Sequence, residues 1–246
     1  MISIFMPNGY SINCESTTPI TDKNDFVPDW PELEKLDDCY CSSDFHLLKE
    51  FITRDEDGNK QLVAFDEDKI DKTRLEKIEK MCEKIDDDKA LIFLGDLTES
   101  EFEEGSAYIE WLKPFCQKLF RKDTHIAPRI LVRGNNDVLS KETYKELGFD
   151  FVVPKIQLGN ILFSHKPLNV DGETVNIHGH LHENKIYFDI SPRNHINVYY
   201  KLVNGIQNVT TLIDYFNAGL YKDSVICNSD EFRTSDMIED VGENYE

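Results

Sequence analysis

The chain is short of positive charge. In 246 residues, 27 Lys and Arg face 47 Asp and Glu, a formal net charge of −20. That deficit argues against a nonspecific hold on long nucleic acid or on an anionic leaflet, since both rest on Lys and Arg neutralising phosphate. A small anionic substrate stays open wherever bound cations override the overall field. The six cysteines (Cys14, Cys39, Cys41, Cys82, Cys116, Cys227) include no CxxC pair. Cys82, at helical spacing among apolar residues, reads as a buried free thiol, and Cys39 and Cys41 as packing groups. The opening MISIFMPNGYSINCES has no Lys or Arg ahead of its short apolar stretch, unlike a signal peptide. No run approaches the roughly 20 apolar residues of a spanning helix. The expectation is a reduced, cytoplasmic protein with no membrane partner, and there is no internal repeat.

What is present suffices for a core: 40% hydrophobic and 11% aromatic residues. Residues 1–38 read as an N-terminal extension, polar and acidic from 15 and dotted with Pro19, Pro28 and Pro31. Residues 39–221 read as the folded domain, and 222–246 as an acidic, mobile tail. Leu75, Ile78, Met81, Cys82 and Ile85 predict a helix over 72–85. A second is expected over 101–122, buried along Ala107, Ile109, Leu112, Phe115, Cys116 and Leu119 and kinked or split at Pro114. Strands are expected at 39–43, 90–94, 130–132, 151–153, 161–163, 175–177, 186–190 and 196–202, with a closing helix over 209–220. The pattern is that of an α/β layered domain.

Five polar blocks each follow a short apolar or β-prone run: Ser43-Asp44-Phe45-His46, Gly95-Asp96-Leu97-Thr98-Glu99, Gly134-Asn135-Asn136-Asp137, Ser164-His165 and Gly179-His180-Leu181-His182. Such blocks fall just past the carboxyl ends of buried strands, where α/β sheets hold ligands. Together they offer carboxylate oxygen, imidazole nitrogen and amide oxygen, which suit Mn, Fe, Zn or Ni better than Ca or Mg. On an extended segment the D-x-H pair Asp44 and His46 would share a side, as would His180 and His182. Taken singly, Asp44 or Asp96 could cap a helix, 134–137 could be a tight turn and His165 a satisfied core histidine. Four of the seven histidines fall within these blocks, which makes a metal site the better reading.

In order, the blocks resemble the D-x-H, G-D-x-x-D/E, G-N-H-D/E, H and G-H-x-H pattern of the calcineurin-like metallophosphoesterase superfamily, over Asp44 to His182. The wording around Ser164-His165-Lys166-Pro167 and His178 to His182 is similar to small single-domain bacterial and phage members. The resemblance implies an α/β fold, a four-layer α-β-β-α sandwich of two mixed β-sheets flanked by helices. It implies two divalent metal ions, manganese first and iron, zinc or nickel as alternatives. Asp44, His46 and His182 would bind the first ion, Asp96 would bridge, and Asn135, His165 and His180 would bind the second. The implied reaction is hydrolysis of a small phosphoester, a phosphodiester before a monoester, by in-line attack of metal-activated water.

One position departs from that pattern. The third residue of the G-N-H-D/E block, a His that assists the leaving group in the family, is Asn136 here. An amide donates a hydrogen bond but supplies no proton near neutral pH, a loss of about 10² to 10⁴ in rate for poor leaving groups. Asp137 then loses the partner it would orient. His178, on the metal-facing side if its strand alternates regularly, and His195, in a loop after the motifs, are the candidate substitutes for the catalytic acid. Lys166 and Arg193 are candidates for substrate phosphate, His125 reads as an exposed loop histidine, and Trp30 and Trp111 as packing residues. Asn136 also keeps open a protein-binding scaffold with a retained but inactive metal site. A metal-dependent nuclease ranks lower, because the chain has no basic stripe. The excess acid lies mainly in 15–38, 83–104 and 222–246, whereas 105–221, which holds three of the five blocks, is nearly neutral.

Overall fold

A computed structural model of the chain describes residues 2–5, 11–14, 39–170, 173–182, 194–203 and 205–218. The expected strand at 186–190, Trp30, Arg193, Cys227 and the segments 15–38 and 222–246 lie outside the described residues. No described helix is long and apolar enough to cross a membrane.

Two sheets carry the fold. The five-stranded sheet has the order β13-β3-β6-β7-β8, built from Gln207–Asn208, Cys39–Ser42, Ala90–Phe93, Arg129–Val132 and Phe151–Val153. Strands β3, β6, β7 and β8 run parallel, and β13 pairs antiparallel with β3. The six-stranded sheet has the order β1-β2-β9-β10-β11-β12, from Ile2–Phe5, Ser11–Cys14, Lys155–Leu158, Ile161–Ser164, Val175–His178 and His195–Asn197. Within it β10, β11 and β12 are parallel, while β9 and β2 are antiparallel. Residues 2–5 and 11–14, expected as part of an extension, thus lie at the edge of this sheet.

Alternation along the strands sorts side chains into two cores. In β6, Ala90 and Ile92 join Cys39, Cys41, Ile130, Val132, Phe163 and Ile177 between the sheets. Leu91 and Phe93 point the other way, onto helices α1 (Lys72–Cys82), α2 (Ala107–Leu119) and α3 (Lys141–Glu146). Burial on both faces explains why β6 and β7 read as unbroken apolar runs. Helix α4 (Val209–Asn217) turns Val209 and Leu212 into the inter-sheet core. The result is the expected mixed α/β fold of two sheets with flanking helices.

Several expectations shift in detail. Helix α2 starts only at Ala107, because residues 99–106 are held in turns by bonds such as Ser106 N to Glu103 O. It continues through Pro114, which lies on the exposed face. There the Glu110 carbonyl it leaves without a helical donor also lies on the solvent side, so the chain need not split. The strand expected over 196–202 stops at Asn197, whose side-chain oxygen accepts the Tyr199 N–H and starts a turn. The β4–β5 hairpin (Ile52–Arg54, Lys60–Leu62) and α3 were not anticipated, since their short polar sequences carry little periodicity. His125 is not an exposed loop histidine: its side chain is 7% exposed and its Nε2 lies 2.9 Å from Asp150. Cys39, Cys41, Cys82 and Cys116 are buried and in no disulfide, and burial pushes the Cys41, Cys82 and Cys116 thiols far above the usual range.

Candidate metal centre

The five blocks converge because parallel strands end together. Asp44 to His46 follow β3, Asp96 follows β6, Asn135 to Asp137 follow β7, His165 follows β10, and His180 and His182 follow β11. Backbone hydrogen bonds zip the first two blocks, from Asp44 N to Gly95 O, His46 N to Asp96 O and Leu47 N to Leu97 O, at 2.9, 3.0 and 2.8 Å. The D-x-H segment is not extended, as alternation had suggested. Of the six described non-glycine residues with positive φ, four are candidate ligands: Asp44 (61°), His46 (44°), Asp96 (55°) and His180 (65°). Each such residue costs about 1–3 kcal/mol, and such strain clusters at functional sites.

Two groups result. Asp44, His46 and His182 bring ligand atoms within 4.8 Å of one another, and so do Asp96, His165 and His180. In the first, His46 Nε2 faces His182 Nε2 at 3.1 Å, and His182 Nε2 lies 3.4 Å from Asp44 Oδ1. In the second, His180 Nδ1 lies 3.2 Å from His165 Nε2, and Asn135 Oδ1 3.0 Å from that same nitrogen. Asp96 faces both groups, with Oδ2 3.7 Å from His46 Nε2 and Oδ1 3.5 Å from His165 Nε2. The seven expected ligand residues are therefore brought together.

Their surroundings orient them. His165 Nδ1 must donate to the Leu94 carbonyl at 2.8 Å, which leaves Nε2 with its lone pair turned to the cluster. Glu99 Oε1 lies 3.0 Å from His46 Nδ1, and Lys60, from the hairpin, holds Glu99 at 3.3 Å. Burial pushes the His46 imidazole down, but the Glu99 hydrogen bond and the charges of Glu99, Asp96 and Asp44 outweigh it and hold it high. Burial pushes the Asp44 carboxyl up, yet the His182 hydrogen bond and His165 dominate and keep it below the usual range. His180 is pushed down to about 4, first by burial, then by His165 and by Lys166, whose charge therefore acts on this centre.

Asn136 engages the carboxylate between the groups. Its Nδ2 donates to Asp96 Oδ2 at 2.7 Å and its backbone N–H to Oδ1 at 2.9 Å. Asp137, left without a histidine to orient, instead ties two blocks: it accepts the N–H groups of Asp96, Leu97 and Gly134 and the Tyr144 hydroxyl. Burial and the adjacent Asp96 charge push the Asp137 carboxyl up.

His178 and His195 pack against each other in the six-stranded sheet. Strand β11 ends at His178, and His195 opens strand β12 rather than sitting in a loop. Their rings pack together at 5.6 Å, both residues are buried, and His178 Nδ1 donates to Gly179 O. Burial first of all pushes them to about 3 and about 4. No hydrogen bond or ion pair joins either ring to the ligand groups among the described residues, so neither gains support as a proton donor. Tyr199, which stacks on His182 at 4.7 Å, and Lys60 were missed by the sequence reading. No motif marks either one, and only the fold brings them to the site.

A family model described as calcineurin-like phosphoesterase matches residues 40–234. A comparison with curated proteins gives no match. Among solved structures, the Pseudomonas putida nuclease MPE is similar at 18% identity and a TM-score of 0.41, over 63% of this chain. That match spans 66% of the nuclease chain, just under two thirds of it. The Aquifex aeolicus protein of unknown function AQ665 is similar at 18% identity and a TM-score of 0.40, over 72% of this chain and 97% of its own.

Proposed function

Since the chain belongs to the calcineurin-like phosphoesterase family, we propose that it hydrolyses a small phosphodiester at a dinuclear metal centre formed by its five blocks. The observation that carries this reading is the pair of three-residue groups, joined by Asp96 of the second, whose Oδ2 lies 3.7 Å from His46 Nε2 of the first.

The donor set fits two divalent ions. Four imidazole nitrogens face one another in two pairs, His46 Nε2 with His182 Nε2 and His180 Nδ1 with His165 Nε2, and Asp44 Oδ1 stands 3.4 Å from His182 Nε2, a convergence of donor atoms that a cation in each group would satisfy. Asp44, His46 and His182 would hold one ion, Asn135, His165 and His180 the other, with Asp96 shared. The mix of nitrogen and oxygen donors suits manganese, with iron, zinc or nickel as alternatives. Such ions supply Lewis acidity at the phosphoryl oxygens and lower the pKa of a water.

The chain's own residues do the rest. The His165 bond to Leu94 and the Glu99 contact with His46 preset the tautomers that present Nε2 inward. Asn136 donates one Nδ2–H to Asp96, so its side chain positions a carboxylate, and as an amide it protonates no leaving group. That favours a diester with a good leaving group over a monoester alkoxide. Lys166 adds positive charge near His180.

Hydrolysis of bis-p-nitrophenyl phosphate and p-nitrophenyl phosphate with Mn(II) tests this. The diester is expected to turn over faster, and a chelator to abolish the reaction. Absence of chelator-sensitive turnover with any of Mn, Fe, Zn or Ni overturns catalysis. If metal is retained without turnover, the scaffold reading that Asn136 favours takes its place.

A further inference from the structure

In a chain so rich in acid, one cleft is lined by cations. It has a volume of about 380 Å³ and lies between α1 and the turn after β12. Arg74, Lys77 and Met81 line one side, at the i, i+3, i+7 spacing that aligns side chains on a helix face. Tyr200 and Lys201 line the other.

The positive charge there exceeds the negative. Asp71, also in the lining, accepts the Arg74 N–H as the helix cap and, with Glu50 3.6 Å from Arg74 Nη1, offsets part of it. Lys77 and Lys201 have no carboxylate within ion-pair distance among the described residues. Arg74 Nε and Nη1 are buried without a hydrogen-bond partner. Lys49 stands close by, its ammonium destabilised by burial and then by Arg74 and Lys201. Like charges crowded together cost free energy that an incoming anion returns.

Two lining residues reach toward the candidate metal centre. Arg74 Nη2 donates to the carbonyl oxygens of Phe45 and His46, the second at 2.7 Å. Lys201 Nζ lies 6.0 Å from the Tyr199 ring, which stacks on His182. Arg74 thus contacts the backbone of His46, and Lys201 faces the ring that packs on His182.

We propose that this cleft binds a second, non-scissile phosphate of the substrate, so that the preferred substrate is a phosphodiester carrying a further phosphate, as in a phosphorylated nucleotide diester. Arg74, Lys77 and Lys201 supply the charge-assisted hydrogen bonds. This rests on the phosphoesterase reading, whose own test is independent of the cleft.

Two measurements test it. The first compares KM for thymidine 5′-(p-nitrophenyl phosphate) with and without a 3′-phosphate, in the wild type and in a Lys77→Ala/Lys201→Ala double variant. The added phosphate is expected to lower KM about tenfold, the effect of one charge-assisted hydrogen bond, and the double variant to bring the KM ratio close to one. The second is calorimetric titration of metal-free protein with pyrophosphate, where binding is expected in the wild type and not in the double variant. A wild-type KM ratio near one, or a ratio that survives the double substitution, overturns the proposal, because any phosphate bound in the cleft is then not the substrate's. If neither ester turns over with any metal, the phosphoesterase reading fails separately. The titration then decides the cleft: loss of pyrophosphate binding in the variant supports an anion site, and no binding in the wild type overturns it.

Discussion

Asn136 carries the residue-level distinction of this site. Its amide does not point at an empty leaving-group position; it donates at 2.7 Å to the carboxylate that faces both ligand groups. The side chain acts through Asp96 and so is a positioning residue. Outer partners of this kind typically contribute about 10- to 100-fold to metal affinity. Asn136→Ala should therefore weaken metal retention by about that factor while leaving the fold intact, as read by chelator competition and circular dichroism. Unchanged retention would show that the Asp96 bond is incidental. The residue types at these positions were legible in the sequence, since a D-x-H or G-H-x-H block declares its chemistry in its letters. The direction of the Asn136 amide was not, because a rotamer depends on which acceptor the fold brings near.

At the level of elements, the site depends on close approach between loops from different strands. Gly179, between β11 and the two histidines, packs against the first block: a Cβ there would stand 2.5 Å from Asp44 Oδ2 and from Ser43 Oγ. Asp44 is also held by the His180 N–H, at 3.2 and 3.1 Å to its two oxygens, so it has little room to yield. Gly179→Ala is expected to displace Asp44, destabilise the protein by about 1–3 kcal/mol and deplete bound metal. A melting curve with metal analysis of the purified variant checks this, and normal metal content would refute it. The elements with strong apolar periodicity, α1, β6 and β7, were readable within a few residues. The β4–β5 hairpin and α3 were not, because their packing partners are remote in sequence and leave little local pattern.

For the molecule as a whole, burial decides how stability responds to acid. Buried in the outer sheet against His178, the His195 imidazole is pushed down to about 4, whereas in the unfolded chain it titrates near 6.5. Between those values the unfolded chain binds a proton that the folded chain does not. The contribution of His195 is therefore complete above pH ~6.5 and is lost as pH falls toward 4. Urea unfolding at pH 7 and pH 5 should show the wild type losing about 2 kcal/mol more than His195→Asn over that interval. Equal losses would mean that His195 is not held neutral by the fold. The net charge of −20 belongs to the same scale. It disfavours polyanions at a distance, while the cationic cleft creates a local field of the opposite sign.

The sequence by itself determined the chemistry of the centre and the order of its parts, because ligand residues at strand ends follow from local spacing and from apolar runs that must be buried. Asp44, His46, Asp96, Asn135, His165, His180 and His182 all lie in those blocks, and the ligand role of each is what the family resemblance implies. Only the tertiary structure decided which histidines stay out of the cluster, what Asn136 and Asp137 hold, and that Arg74, Lys77 and Lys201 share a cleft. Those outcomes depend on contacts between segments 40 residues apart, as at Asn136 and Asp96, or 136 apart, as at Asp44 and His180, on left-handed backbone at Asp44, His46, Asp96 and His180, and on burial. None of these is encoded in the spacing of any single stretch of chain.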